Sequence, residues 1–197
     1  MIAPLPAAWF DRPAPAVARD LIGTILCLRG AVGILTETEA YAHDDPASHS
    51  FPGPRPRNAA MFGPPGRAYV YRAYGIHWCL NVVCARGDAV LLRAMEPRRG
   101  LALMATRRGT DKPQLLTTGP GRLGQALGIG PQDNHLPFDR RDFCILPGAG
   151  AAVLCGPRIG ISRAADYPWR FGLAGSAFLS RPFGRATSAG APQALPR

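Results

Sequence analysis

Two of the three glutamates in this 197-residue chain stand two residues apart, at Glu37 and Glu39, in a segment that alternates like a β-strand. Side chains in a strand point to alternate faces, so Glu37, Glu39 and Tyr41 are predicted to share one face. Carboxylates on one face can change each other's pKa and divide the roles of general acid and base. The alternative for this segment alone is a solvated ion pair between one glutamate and a nearby arginine.

A cluster of tyrosines follows the glutamates along the chain. Tyr69, Tyr71 and Tyr74 lie within six residues, and the Tyr74-Gly75 pair is typical of a hairpin turn. Tyr69 is interpreted as a half-buried strand residue. Tyr74 is predicted at the exposed tip, where a large ring is unfavourable unless a partner covers it. Stacked DNA bases are one such partner, with the ring wedged between them.

The charge balance favours a polyanionic partner. Twenty-three lysines and arginines outnumber 13 aspartates and glutamates, which gives a formal net charge of +10. Lys112 is the only lysine, so nearly all the positive charge is guanidinium, the group suited to bidentate phosphate contacts. A bias towards arginine, alanine, glycine and proline would also make the chain basic without any partner.

Ordered segments along the chain resemble the alkyladenine (3-methyladenine) DNA glycosylase family. They are residues 36–41 (TETEAY), 47–50 (ASHS), 57–58 (RN), 61–63 (MFG), 69–81 (YVYRAYGIHWCLN), 91–97 (LLRAMEP), 118–123 (TGPGRL), 158–161 (RIGI), 169–171 (WRF) and 175–176 (GS). The resemblance covers roughly residues 8–180. One departure is Arg55, which takes a place often held by a small polar residue in relatives.

The resemblance implies a catalytic pair and a base pocket. Glu39 matches the glutamate that activates water for attack on the sugar C1′, and Arg93 matches an arginine beside that carboxylate. Tyr41, His49 and Tyr71 match the residues that sandwich and contact the flipped base. Glu37 is then interpreted as structural.

Further positions are predicted to contact DNA. Tyr74 matches the tyrosine that fills the gap left in the duplex, and Asn81 matches an asparagine that crowds the exocyclic amino group of normal guanine. Contacts to the DNA backbone are predicted for Arg55, Arg57, Ile76, His77 and Arg122. For each arginine the alternative is a side chain that is merely solvated.

These roles predict a monofunctional DNA glycosylase of base excision repair. Its substrates would be alkylated or deaminated purines in double-stranded DNA, such as 3-methyladenine, 7-methylguanine, hypoxanthine and ethenoadenine. Glycosylases that also cut the backbone use an amine to form a Schiff base with the sugar. The only lysine, Lys112, lies in a polar segment far in sequence from Glu39, so hydrolysis without a lyase step is predicted.

Two other functions compete with this one. The first is a protein that recognises lesions in DNA without cleaving them, and the presence of Glu39 together with Arg93 argues against it. The second is a glycoside hydrolase that uses Glu37 and Glu39. Such enzymes place two carboxyls across the scissile bond, whereas neighbours on one strand face project side by side.

The helices and strands around these residues are predicted to form one α+β domain over residues 1–180. Its mostly antiparallel, curved sheet would be flanked by helices and carry a protruding β-hairpin. Strands are predicted over 33–41, 68–72, 77–85, 89–95, 143–154 and 156–161, and a helix running into a strand over 14–28. Helices are predicted over 97–108, with Leu101, Met104 and Ala105 buried, and over 119–127. Residues 42–67 are predicted to be a functional loop, and residues 181–197 a disordered tail.

No cofactor or metal is expected. The five cysteines include no C-x-x-C pair, and the spacing of His43, Asp44, Asp45 and His49 matches no standard metal motif. The N-terminus lacks a secretory signal pattern, and the apolar stretches are too short or interrupted for a bilayer span. A cytoplasmic protein, associated with the nucleoid in a bacterium, is therefore expected. It should act as a monomer, because flipping one base needs no symmetry.

Overall fold

One antiparallel sheet of nine strands organises the part of the chain that the structure, a computed structural model, describes, residues 2–184. The strands are β1 (Ile25–Leu28), β2 (Ala31–Tyr41), β3 (Ala68–Ala73), β4 (His77–Val83), β5 (Ala89–Arg99), β6 (Asp139–Arg140), β7 (Phe143–Leu146), β8 (Val153–Gly156) and β9 (Arg170–Leu173). Their order is β3-β4-β5-β2-β1-β7-β6, and β9 pairs with β2 and β8. The curled sheet and the β3–β4 hairpin at its edge confirm the predicted α+β fold.

Helices accompany this sheet. In the described residues they are α1 (Ala7–Phe10), α2 (Ala14–Asp20), α3 (Leu101–Arg108), α4 (Pro113–Thr117) and α5 (Pro120–Leu127), with 3-10 helices at Pro56–Phe62, Ala85–Gly87 and Pro131–Asp133. Helix α5 lies directly on β4, where a Cβ added at Gly124 would be 2.0 Å from the carbonyl oxygen of Trp78. Glycine at position 124 therefore permits this close approach. Across residues 2–184, no helix has both the length and the apolar character that a membrane crossing requires.

Strand β2 is buried over most of its length, and this burial determines the environment of the two glutamates. The strand pairs with β5 along one edge, and with β1 and then β9 along the other. Leu35, Glu37, Thr38 and Glu39 are all fully buried. Both carboxylates are thus removed from water and need partners inside the protein.

The register between β2 and β5 shifts around Glu37. Leu35 pairs with Met95, Glu37 with Ala94 and Thr38 with Leu92, so the ladder is irregular on both sides of Glu37. Bulges of this kind change the direction of side chains and are common next to active sites. At this irregular stretch, Arg93 of β5 contacts Glu37 and Glu39.

The predicted helix over 97–108 was wrong at its start. Strand β5 continues to Arg99 by pairing with β2, where Gly33 lies opposite Pro97, and helix α3 begins only at Leu101. Leu101, predicted to be buried, is 40% exposed, whereas Met104 is fully buried as expected. Pairing with a long neighbouring strand outweighed the local helix pattern.

The late strands also differ from the prediction. The segment 143–154 is two strands, β7 and β8, separated by a stretch that contains Pro147 and Gly148. Residues 157–169 contain no strand, and β9 was not predicted. At the start of the predicted disordered tail, the carbonyl oxygens of Arg181 and Pro182 accept hydrogen bonds from Arg170. The remainder of that predicted tail, 185–197, lies outside the described residues.

Candidate active site

A cavity of about 690 Å³ opens between the β3–β4 hairpin, the end of β2 and the loops 42–67 and 157–169. Seven residues predicted for catalysis, base binding and intercalation line it together: Glu39, Tyr41, His49, Tyr71, Tyr74, Asn81 and Arg93. Arg57 also lines this cavity, whereas Arg55, Ile76, His77 and Arg122 do not. A cavity of this volume with apolar walls and a few converging polar groups is typical of a small-molecule or base site.

Glu39 is fully buried and held by three donors. Its Oε1 accepts a hydrogen bond of 2.7 Å from the backbone N–H of Ile159. Its Oε2 accepts one of 2.8 Å from the Tyr41 hydroxyl and lies 3.2 Å from Nη1 of Arg93. Hydrogen bonds to a charged acceptor are strong, so the carboxylate is fixed in one orientation at the cavity wall.

Tyr41 serves this carboxylate as a neutral donor. Burial, followed by the charge and hydrogen bond of Glu39, raises the pKa of Tyr41 far above its ordinary value. The phenol therefore keeps its proton at any physiological pH and continues to donate it to Glu39.

Glu37 is turned into the protein and does not line the cavity. Its Oε1 accepts hydrogen bonds from Nε of Arg93 at 2.9 Å, Nε of Arg170 at 2.8 Å and the hydroxyl of Ser180 at 2.7 Å. Burial alone would raise the pKa of Glu37. The charge of Arg93, the two hydrogen bonds from Ser180 and the charge of Arg170 outweigh burial, so this pKa lies below its ordinary value. Glu37 is therefore a buried anion that pairs with Arg93 and Arg170. The alternative for this segment, a solvated ion pair between one glutamate and a nearby arginine, does not describe Glu37.

Rings from two elements form an aromatic wall of the cavity. The Tyr69 hydroxyl is 2.8 Å from Nδ1 of His49, and the rings of His49 and Tyr71 meet edge to face with centroids 4.6 Å apart. Burial, followed by the charge of Arg57, lowers the pKa of His49, so its imidazole is neutral at pH 7. Tyr69 is more deeply buried than expected, at 3% exposure, and it positions His49.

Asn81 lies on β4, opposite Tyr69 of β3. Its Nδ2 donates a hydrogen bond of 3.0 Å to the carbonyl oxygen of Tyr69, and the side chain is buried. The carboxamide is thus held at the cavity wall by the strand beside it.

The tip of the hairpin presents a strained aromatic residue. Tyr74 is 86% exposed and has a φ of 50°, followed by Gly75 with a φ of 69°. Positive φ at both central residues is what a type I′ hairpin turn requires, and the N–H of Ile76 closes the turn on the carbonyl of Ala73 at 3.0 Å. A tyrosine with positive φ is uncommon, and such strain clusters at functional sites.

The residues predicted to contact the DNA backbone are all exposed. Arg55 and Arg57 stand at the start of the 3-10 helix Pro56–Phe62. Arg122 of α5 donates to the hydroxyl of Thr118 at 3.2 Å. His77 lies against α5, where a Cβ added at Gly121 would be 2.8 Å from its Cγ.

Four residues of the site were not singled out from the sequence: Arg158, Ile159, Arg170 and Ser180. Arg158 is buried in an ion pair with Asp45, donates to the carbonyl oxygen of Ala40 at 2.9 Å and stacks on the ring of Tyr41 at 4.7 Å. The sequence 158–161 was among the family segments but was interpreted as a strand. Asp45, considered for a metal cluster, is the partner that holds this loop.

The chain belongs to the methylpurine-DNA glycosylase family, whose sequence model matches residues 8–177. Membership of that family makes the protein a DNA glycosylase, which is a DNA-binding hydrolase of base excision repair. The predicted family is therefore confirmed. In the structure, seven of the predicted site residues line one cavity.

Similar proteins from several bacteria cover nearly the whole chain. A protein of Rhodopseudomonas palustris is 57% identical over 189 residues, which span 93% of this chain and 92% of the relative. A protein of Agrobacterium fabrum is 57% identical over 91% of this chain and 93% of its own length. One of Nitrosospira multiformis is 54% identical over 90% and 94%. All three are provisionally named 3-methyladenine DNA glycosylases.

Proposed function

We propose that this protein is a monofunctional glycosylase that flips a damaged purine out of double-stranded DNA and hydrolyses its N-glycosidic bond with a water activated by Glu39. One observation carries the proposal. Glu39 is a buried carboxylate, fixed by three donors, in the wall of an aromatic-lined cavity that also includes the exposed Tyr74. The name shared by the three relatives favours alkylated purines as substrates.

Recognition begins with removal of the base from the stack. Flipping costs a few kcal/mol and is easiest for a damaged pair, which is one source of selectivity. The exposed ring of Tyr74 would occupy the gap in the duplex, while the flipped base enters between Tyr41, Tyr71 and His49. Alkylated purines such as 3-methyladenine and 7-methylguanine carry positive charge, which the electron-rich faces of tyrosines attract.

The chemical step uses one carboxylate. A water attacks C1′ of the sugar and gives its proton to Glu39, while the N-glycosidic bond breaks and its electron pair leaves with the base. Arg93 balances the charge of Glu39 when the carboxylate is ionised. The products are a free base and an abasic site. Hypoxanthine and ethenoadenine are neutral, so their departure needs a proton as well.

An excision assay tests this function. The protein is incubated with duplexes that each carry one 3-methyladenine or hypoxanthine, and abasic sites are then cleaved with alkali. Strand cleavage at the lesion is expected, with none in an undamaged duplex of the same sequence. Tight binding to the damaged duplex without any cleavage would instead identify a lesion-recognition protein and overturn the proposal.

Tyr74→Ala is expected to weaken binding to a duplex that carries a flipped-base analogue by about tenfold or more, because stacking of one aromatic ring on a base contributes roughly 1–3 kcal/mol. Binding to undamaged duplex should change much less. Fluorescence anisotropy with both duplexes measures the difference. Leu101→Ala is the control, since Leu101 is also an exposed large apolar side chain but lies on helix α3 and outside the cavity. Equal loss of binding on both duplexes would count against the wedge.

The absence of a lyase step is tested by borohydride trapping. An amine that attacks C1′ forms a Schiff base, which borohydride reduces to a stable protein–DNA adduct. With a duplex that carries hypoxanthine, we expect excision and no trapped adduct. A bifunctional glycosylase, tested in parallel on its own substrate, is the positive control and should give a trapped adduct. A trapped adduct that disappears in Lys112→Gln would show that Lys112 is a nucleophile and that the enzyme is bifunctional.

A further inference from the structure

The last described residues of the chain cross behind the catalytic strand. Residues 176–183, here called the C-terminal strap, are fastened to β2 and β9 by side chains of both strands. The Thr36 hydroxyl donates a hydrogen bond of 2.7 Å to the carbonyl oxygen of Phe178. The Arg170 guanidinium donates to the carbonyl oxygens of Arg181 and Pro182 and lies 3.9 Å from the ring centroid of Phe183.

Ser180 is the residue of the strap that reaches the two central ion pairs. Its backbone N–H donates to Oε2 of Glu37, and its hydroxyl donates to Oε1 at 2.7 Å. The same hydroxyl oxygen accepts a hydrogen bond of 3.1 Å from Nη2 of Arg93. Ser180 therefore contacts both Glu37 and Arg93, and it does not line the cavity.

Arg93 is held by a different partner at each nitrogen of its guanidinium. Nε donates to Glu37 at 2.9 Å, Nη2 to Ser180 at 3.1 Å, and Nη1 lies 3.2 Å from Glu39. The guanidinium is planar and rigid, so its first two contacts fix the direction of the third. Glu37, Glu39 and Arg93 are buried and Ser180 is half-buried, so loss of one partner leaves a polar atom unsatisfied beside a buried charge.

We propose that Ser180 and Glu37 are positioning residues of the glycosylase, through which the C-terminal strap aims Arg93 at Glu39. The proposal rests on the proposed role of Glu39. Neither residue touches the cavity, so both act on Glu39 only through Arg93. The strap is thus a part of the active site that lies about 140 residues after Glu39 in sequence.

Single-turnover excision of hypoxanthine from a duplex, with binding measured separately, tests this role. Ser180→Ala is expected to lower the rate constant by about tenfold, and Glu37→Gln by about 100-fold, because small misplacements of catalytic groups have effects of this size. The dissociation constant for a flipped-base duplex should stay within about twofold, since the base cavity is untouched. Ser180→Thr keeps the hydroxyl and should restore most of the rate.

Thr36→Val is the matched control. It removes one hydrogen bond that fastens the strap at Phe178 but leaves the contacts of Ser180, Glu37 and Arg93 in place. The rate constant of Thr36→Val should equal that of the wild type, even if thermal unfolding shows some loss of stability. If Ser180→Ala excises at the wild-type rate, or if Thr36→Val and Ser180→Thr are slowed as much as Ser180→Ala, the positioning role is wrong. A wild-type protein without excision activity would instead refute the proposed function itself.

Discussion

Glu39→Gln is expected to lower the single-turnover rate of base excision by about 10³-fold, within the range typical of general acid–base groups. The amide has the shape of the carboxylate but cannot accept a proton from the attacking water. It can still accept the hydrogen bond from the N–H of Ile159. The cavity should therefore keep its form, and binding to a flipped-base duplex should persist.

Glu96→Gln is the matched control for this change. Glu96 is the third glutamate of the chain; it pairs with Arg98 at the protein surface and does not line the cavity. Its replacement should leave excision unaltered. Full excision by Glu39→Gln would remove Glu39 from the chemistry and require another base.

Arg158→Ala is expected to lower the free energy of unfolding by about 3–5 kcal/mol, the usual cost of breaking a buried ion pair by removing one partner. Both side chains of the Arg158–Asp45 pair are fully buried, so Asp45 would be left as an uncompensated charge. The guanidinium also lies 4.7 Å from the ring centroid of Tyr41 and 5.3 Å from that of Trp169, so packing is lost as well. Urea denaturation followed by circular dichroism measures the change.

Excision should fall in the same variant, because Arg158 precedes Ile159, whose N–H holds Glu39. The comparison is Arg98→Ala, which removes the partly exposed pair with Glu96 and should cost less than about 1 kcal/mol. If Arg158→Ala and Arg98→Ala are equally stable, the buried pair does not hold the 157–169 loop in place.

Local patterns in the sequence located several parts of this site. Alternation over 33–41 predicted a strand that carries Glu39 and Tyr41, and the structure has β2 there. The Tyr74-Gly75 pair predicted a hairpin tip, which a two-residue turn with positive φ provides. The helix predicted over 119–127 ends at Leu127, where Gly128 follows in the left-handed conformation with a φ of 68°. Each of these features is decided by residues within a few positions of one another.

The partners of the glutamates could not be predicted in this way. Ile159, Arg170 and Ser180 lie more than a hundred residues after Glu37 and Glu39, and only the fold brings them together. The segment 156–161 resembles a strand because its apolar residues alternate. After Gly156, which ends β8, the segment is a loop in the structure, where Arg158 points inward to Asp45 and Ile159 donates its N–H to a carboxylate. A buried charge pair overrides the local preference there.

A crystal structure of Glu39→Gln bound to a duplex with one ethenoadenine would show whether Glu39 faces the sugar of a flipped base. The variant keeps the cavity but cannot complete the reaction, so the intact substrate should be trapped. The proposed role of Glu39 predicts that the modified base lies between Tyr41, Tyr71 and His49, with C1′ next to residue 39 and the ring of Tyr74 in the vacated stack. An ethenoadenine that remains stacked in the duplex, or that binds outside this cavity, would contradict it.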